Sequence, residues 1–205
     1  MKFEIKSRYD DSVLVIADIE CKEDASTSVK MGLAVLWAVE NGVSLKDAYL
    51  EGAYLKGANL KGAYLEGAYL KGANLEHANL QRANLERAIL IGAILIDAIL
   101  QRANLQHANL WGANLIDAKL QRAELWRANL IQADLRGSYL WEANLEEAIL
   151  CRADLRRAEL WRAKIEGANL IDAKLEGAKL EGVNLEDAFL KDANIKPPVE
   201  STNEV

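Results

Sequence analysis

The chain has few of the residues that most catalytic sites and most covalent staples need. Of its 205 residues only two are cysteine, two are histidine and two are proline. Cys21 and Cys151 lie far apart, which reads as two free thiols in a reducing compartment rather than a disulfide framework. His77 and His107 are thirty residues apart. No metal site is expected from them, because the repeat described below puts them on opposite walls. From Leu45 to Ile195 the only serine or threonine is Ser138, so no hydroxyl nucleophile stands beside a base. The glycines at 52, 57, 62, 67 and 72 recur at a fixed interval and form no phosphate-binding loop. The expectation is a protein that is not an enzyme and has no cofactor.

Other absences bound its surroundings. No apolar run approaches the ~18 residues of a membrane helix. The start, MKFEIKSRYDDSVLV, has neither an apolar signal core nor a small-residue cleavage site. The net charge of −6 is mild and gives no reason to expect nucleic acid or anionic lipid as a partner. A single soluble cytoplasmic unit, with no membrane contact, is expected from these features.

What the chain does have is alanine and leucine in strict register. From Ala48 to Ala193 every fifth residue is Ala, apart from Ser138 and Val183. Two residues later comes Leu, from Leu45 to Leu190, broken only by Ile165 and followed by Ile195. An α-helix cannot hold this period on one face, because five residues leave a drift of ~140° per repeat. A flat strand fails too, since five is odd against a side-chain period of two. The chain must turn a corner in every quintet.

Stretches such as ANLQRANLERA (78–88) resemble the A-(D/N)-L-x-x motif of the pentapeptide-repeat family, over residues 45–195. The resemblance implies an all-β solenoid, a right-handed quadrilateral β-helix with four quintets per coil and Leu pointing inward. Positions outside the Ala/Leu grid support a twenty-residue coil independently. Gln81, Gln101 and Gln121 recur at that interval, as do Arg82, Arg102 and Arg122, and Trp141 with Trp161. Seven to eight coils would make a rod ~36 Å long at ~4.8 Å per coil. Ser138 is the one polar inward position and suggests a local distortion there.

The ends differ from the middle. Residues 1–44 read as a β-hairpin, KFEIKSRY and VLVIADI around DDS, followed by a capping helix. Ser28 is its expected N-cap and Gly42 its stop, with Leu33, Leu36 and Trp37 covering the first coil. Residues 196–205, opening with Pro197 and Pro198, read as a disordered tail. The resemblance also implies a possible dimer through the C-terminal coil, where Phe189 lies.

The surface offers one unusual feature. In AILIGAILIDAIL (88–100) the outward positions, polar elsewhere, are isoleucine. At intervals of twenty, Ile91, Trp111, Ile131, Cys151 and Ile171 form an apolar column. Ile89 and Ile149 are expected to flank it on the same wall, with Ile94, Ile96 and Ile116 on the next and Arg152 and Trp126 nearby. So contiguous a patch marks a contact site, for a second copy of the chain (a homodimer) or an unidentified protein. The family's gyrase-protecting DNA mimics supply the alternative function. They need a continuous acidic field, whereas residues 45–195 hold 19 Lys and Arg against 21 Asp and Glu. The same mixture of charges argues against direct nucleic-acid binding, although Trp126, Trp141 and Trp161 could stack bases.

Overall fold

The computed structural model describes residues 1–195; the expected disordered tail, 196–205, lies outside them. Strands β1 (Lys2–Lys6) and β2 (Val13–Asp18) form an antiparallel hairpin in which Ile5 faces Val15. At its turn, Asp10 accepts from both the backbone N–H and the hydroxyl of Ser12. Alternation puts Ile5, Val15 and Ala17 inside.

Helix α1 (Thr27–Glu40) follows. Its N-cap is Ser26, in an extended conformation with its side chain accepting from Val29 N–H, and not Ser28 as the sequence suggests. The first turn already contains Ser28, whose carbonyl accepts from Tyr54 N–H in the first coil at 3.0 Å. Asn41 and a positive-φ Gly42 end the helix. The residues of α1 that are fully buried are small: Gly32, Ala34, Val35 and Ala38. Leu33, Leu36 and Trp37 pack beside the core while keeping partial exposure. The helix lies too close to the coil for larger residues at the contact, since a Cβ on Gly32 would stand 2.0 Å from the carbonyl oxygen of Tyr54.

From Leu45 onward the chain winds in twenty-residue coils. Parallel bridges join nearly every residue that precedes a Leu to the one twenty positions later, from Tyr49↔Tyr69 to Lys174↔Asn194. Each wall contributes one bridging residue per coil, so the walls are ladders of single bridges rather than continuous strands. The reason is the corner in every quintet, which leaves a wall only three residues wide.

The hydrogen bonding of one quintet explains its composition. Leu90 N–H donates to Asn109 O at 2.7 Å, Gly92 N–H to Trp111 O at 3.0 Å and Ile94 N–H back to Ala73 O at 3.0 Å, while Ala93 N–H closes the turn on Leu90 O. That leaves the N–H just after each Leu. An Asn before the Leu supplies its acceptor, as when Trp111 N–H donates to the Asn109 side chain at 3.1 Å. From Asp47 to Gly182 the second corner residue is left-handed in every quintet, with φ from 54° at Asp97 to 73° at Gly182. Leu and Ala fill the interior with essentially no exposure from Leu45 to Leu155.

Ser138 does not distort the coil. Its backbone bonds, to Leu135 O at 3.1 Å and from Glu159 N–H at 2.9 Å, repeat those of the alanines, because Ser is barely larger than Ala. Its buried hydroxyl has no hydrogen-bond partner. Ser138→Ala is therefore expected to raise stability by about 1–2 kcal/mol, read as a higher urea midpoint with an unchanged slope.

The hairpin joins the solenoid edge-on. Ser7 bridges Ala48, and Tyr49 N–H donates to Lys6 O at 2.8 Å. The wall that begins at Tyr49 is thus extended downward by β1.

Candidate interaction surface

Numbering the walls along the chain from Tyr49, wall 1 carries the residues on either side of Leu50, Leu70, Leu90 and their successors. Its two columns are the bridging residues, Tyr49 to Phe189, and the residues after Leu, Glu51 to Lys191. Ile91, Trp111, Ile131, Cys151 and Ile171 fall in consecutive coils of the second column. Trp111 is the proudest of them, 47 % exposed, while the others are half-buried by their neighbours.

In the bridging column, Ile89 and Ile149 share the wall but are separated by Asn109 and Asn129. They flank the apolar column as two islands. Ile94, Ile96 and Ile116 lie on wall 2, around a corner that bears only Gly92 and Gly112. An added Cβ at either glycine would meet nothing within 4 Å. With no side chain at that edge, the apolar surface of wall 1 continues onto wall 2. Higher on wall 2 it is stopped by charge. Arg136 grips Asp134 and Arg156 grips Asp154 through paired N–H donors, the shorter contact being 2.6 Å in each pair. The Arg156 guanidinium holds the Asp154 carboxyl below its ordinary range against the opposing effect of burial.

Arg152 stands at the corner beside Cys151 and pairs with Asp172 at 3.4 Å. Trp126 belongs to wall 4. It packs on His107 of the coil below, with ring centroids 4.8 Å apart, and under the guanidinium of Arg127. It is not part of the patch. The sequence reading missed Tyr49 and Tyr69, which stack at 5.3 Å on wall 1 below Ile89. The twenty-residue interval was the available signal. At the other end of the same column Phe189 is 61 % exposed. Wall 3, opposite, holds the stacked pair Trp141–Trp161, with Arg122 over Trp141.

The isoleucines cost the turns something. Where Asn precedes Leu, its side chain satisfies the next free N–H; Asn129 and Asn169 do this for Ile131 and Ile171, each at 3.1 Å. Ile89, Ile94 and Ile149 cannot. Ile149→Asn is expected to stabilise the isolated rod by about 0.5–1 kcal/mol through the regained bond, while weakening association. Denaturation and sedimentation on the same samples check both signs.

The charges elsewhere are largely matched from coil to coil. Arg122 meets Glu142 at 2.6 Å, Arg127 meets Glu147 at 2.7 Å, and Lys179 meets Glu159 at 2.6 Å. His77 contacts Glu76 and Asp97 and lies at the corner opposite that of His107. Among the described residues no group of three or more His, Cys, Asp or Glu could hold a metal ion. No helix there is long and apolar enough to cross a membrane.

The pentapeptide-repeat family model matches in eight copies, over residues 41–72, 68–103, 98–137, 133–170 and 168–196. The chain belongs to the pentapeptide-repeat family. That family's fold is the right-handed quadrilateral β-helix, and the coil seen here is of that four-walled kind. Among solved members it is similar to HetL, a protein involved in heterocyst differentiation regulation from the cyanobacterium Nostoc sp. strain PCC 7120. The two are 34% identical over 74% of this chain and 82% of that one, with a TM-score of 0.32. Rfr23 of the cyanobacterium Cyanothece 51142 is 40% identical over 46% of this chain and 58% of its own, with a TM-score of 0.25. QnrB1, a plasmid-mediated fluoroquinolone resistance protein, is 18% identical over 69% of this chain and 74% of its own, with a TM-score of 0.40. No curated protein matches the sequence.

Proposed function

We propose that this pentapeptide-repeat rod is a non-enzymatic interaction scaffold whose contact surface is wall 1. The apolar column from Ile91 to Ile171 binds either a second copy of the chain or another protein. One observation carries the reading: Ile91, Trp111, Ile131, Cys151 and Ile171 follow one another in consecutive coils of a single wall. The outward residues there serve something other than the coil's own hydrogen bonding. Residues 1–44 act as the cap of the scaffold, and its place of work is the cytoplasm.

The gyrase-directed DNA mimic is the weaker reading. Its one acidic column, Glu146–Glu166–Glu186, spans three coils, and Lys164 stands 3.8 Å from Glu146. Cation–carboxylate pairs between coils break up the continuous negative field that mimicry requires. That mixed surface speaks equally against nucleic acid as the partner.

Trp111→Lys puts a charge in the middle of the column and is expected to abolish association without unfolding the rod. Gln101→Lys, on the opposite wall, is expected to leave it intact. Light scattering should give the wild type and Gln101→Lys masses rising above 22.7 kDa with concentration, and Trp111→Lys the monomer mass throughout. A Trp111→Lys variant that associates like the wild type contradicts the reading. A wild type monomeric at every concentration assigns wall 1 to a different protein.

A further inference from the structure

We infer that wall 1 pairs with a second copy of itself, the two rods running antiparallel about a twofold axis that passes beside Ile131. This rests on the reading of wall 1 as the contact surface and adds the occupant and its register. An isologous contact between two such walls has two symmetric solutions. In one the axis runs along the rods and each coil faces its own copy. In the other the axis crosses the rods, and a coil above Ile131 faces the coil equally far below it. Sizes and charges along the wall choose between them.

In the apolar column the antiparallel arrangement seats Trp111, the largest residue, on Cys151 of the second copy, the smallest. Ile91 then meets Ile171, and Ile131 meets itself. The parallel arrangement stacks Trp111 on Trp111 and leaves a gap at Cys151.

The corner column is divided in the same sense. Its lower half is bare, at Gly72, Gly92 and Gly112, and its upper half carries Arg152, Asp172 and Asp192. Turned antiparallel, each side chain of the upper half covers a glycine of the partner copy. Arg152 then lies beside the exposed face of Trp111, where a guanidinium is favoured. Turned parallel about the apolar column, the two sides of the wall exchange, and Arg152 and Asp192 come to face Ile149 and Phe189 in place of glycines.

The bridging column agrees at its ends, since Tyr69 comes to face Phe189. Lys71 and Lys191 also face each other, and Lys71 is balanced by Glu51 at 3.4 Å. The contact spans six coil spacings, ~29 Å by ~10 Å across the wall. That is small beside the ~800 Å² per partner of a standard interface, so the dimer is expected to dissociate on dilution.

Disulfide trapping in a Cys21→Ser, Cys151→Ala background tests the register. A disulfide needs Cα atoms within ~7 Å, and two copies of residue 91 would lie ~19 Å apart in the antiparallel pair. Ile91→Cys and Ile171→Cys should each fail to cross-link alone but yield at least tenfold more disulfide dimer when mixed. Ile131→Cys should cross-link by itself. Ile91→Cys and Ile171→Cys each linking alone would overturn the antiparallel register while leaving wall 1 as a self-interface. No linkage from any variant, with a wild type that stays monomeric, would overturn self-pairing itself. The reading of wall 1 as a contact for another protein would survive that second result; it falls if the wild type associates and Trp111→Lys associates equally well.

Discussion

Gly32→Ala is expected to lift the capping helix from the first coil and to cost the protein about 3 kcal/mol or more. In an exposed helix the same change would be worth ~1 kcal/mol in the opposite direction, because alanine is the better helix former. Here the added Cβ would stand 2.0 Å from Tyr54 O and 3.0 Å from its carbonyl carbon. Both are backbone atoms, and the strand that carries them is tied to the next coil through Tyr54↔Asn74. Neither side can give way cheaply, so α1 must move, and overpacking of this kind costs ~1–3 kcal/mol or more. The loss should be local. In a solenoid each coil contacts only its neighbours, so amide exchange should quicken at Leu50 and Leu55 and stay slow beyond Leu110. Uniform protection along the rod would show that α1 adapts to the methyl group.

Leu110→Ala should be as damaging and should depend on position. Leu110 is 1% exposed at mid-rod, with coils above and below that cannot collapse into the space. The expected loss is about 2–5 kcal/mol. Leu185, in the last described coil, is only partly buried. It exposes part of its surface already, and Leu185→Ala should cost about 1 kcal/mol. Urea denaturation of the two variants reads the contrast. Equal losses at the two positions would mean that the terminal coil is covered as well as the middle ones.

These expectations show where the sequence is a good guide. The coil is legible because a five-residue grid excludes helix and flat strand, and because Gln, Arg, Trp and Asp outside the grid repeat at twenty. The apolar column was legible for the same reason, since any residue after Leu can be followed up its wall by addition. Less visible was what depends on close approach. The residues of α1 that touch the coil are Gly32, Ala34, Val35 and Ala38, and nothing in their own pattern says how near the helix comes. The cap fell on Ser26 rather than Ser28 because capping follows backbone conformation, and two serines so close offer equal chemistry. Ser138 looked like a defect by polarity, but its size, so near that of alanine, decides the backbone. Trp126 looked close to the patch by number, and a corner put it on another wall.

The isoleucines of 88–100 take their meaning from both levels. The sequence marks them as exceptions, and the hydrogen bonding of the quintet shows what is given up to place them. Ile89 and Ile149 leave open the N–H after Leu that Asn109 and Asn129 satisfy for Trp111 and Ile131 in their own coils.

The most direct test of wall 1 as a surface that pairs with itself is the rate at which Cys151 reacts with a thiol reagent, measured from dilute to concentrated protein in a Cys21→Ser background. Cys151 is partly exposed in the single chain and lies beneath Trp111 of the second copy in the proposed pair. The rate per molecule should fall severalfold as concentration rises, and Trp111→Lys should remove that fall. A rate independent of concentration, in a wild type that nonetheless dimerises, would place the interface elsewhere on the rod and contradict the account.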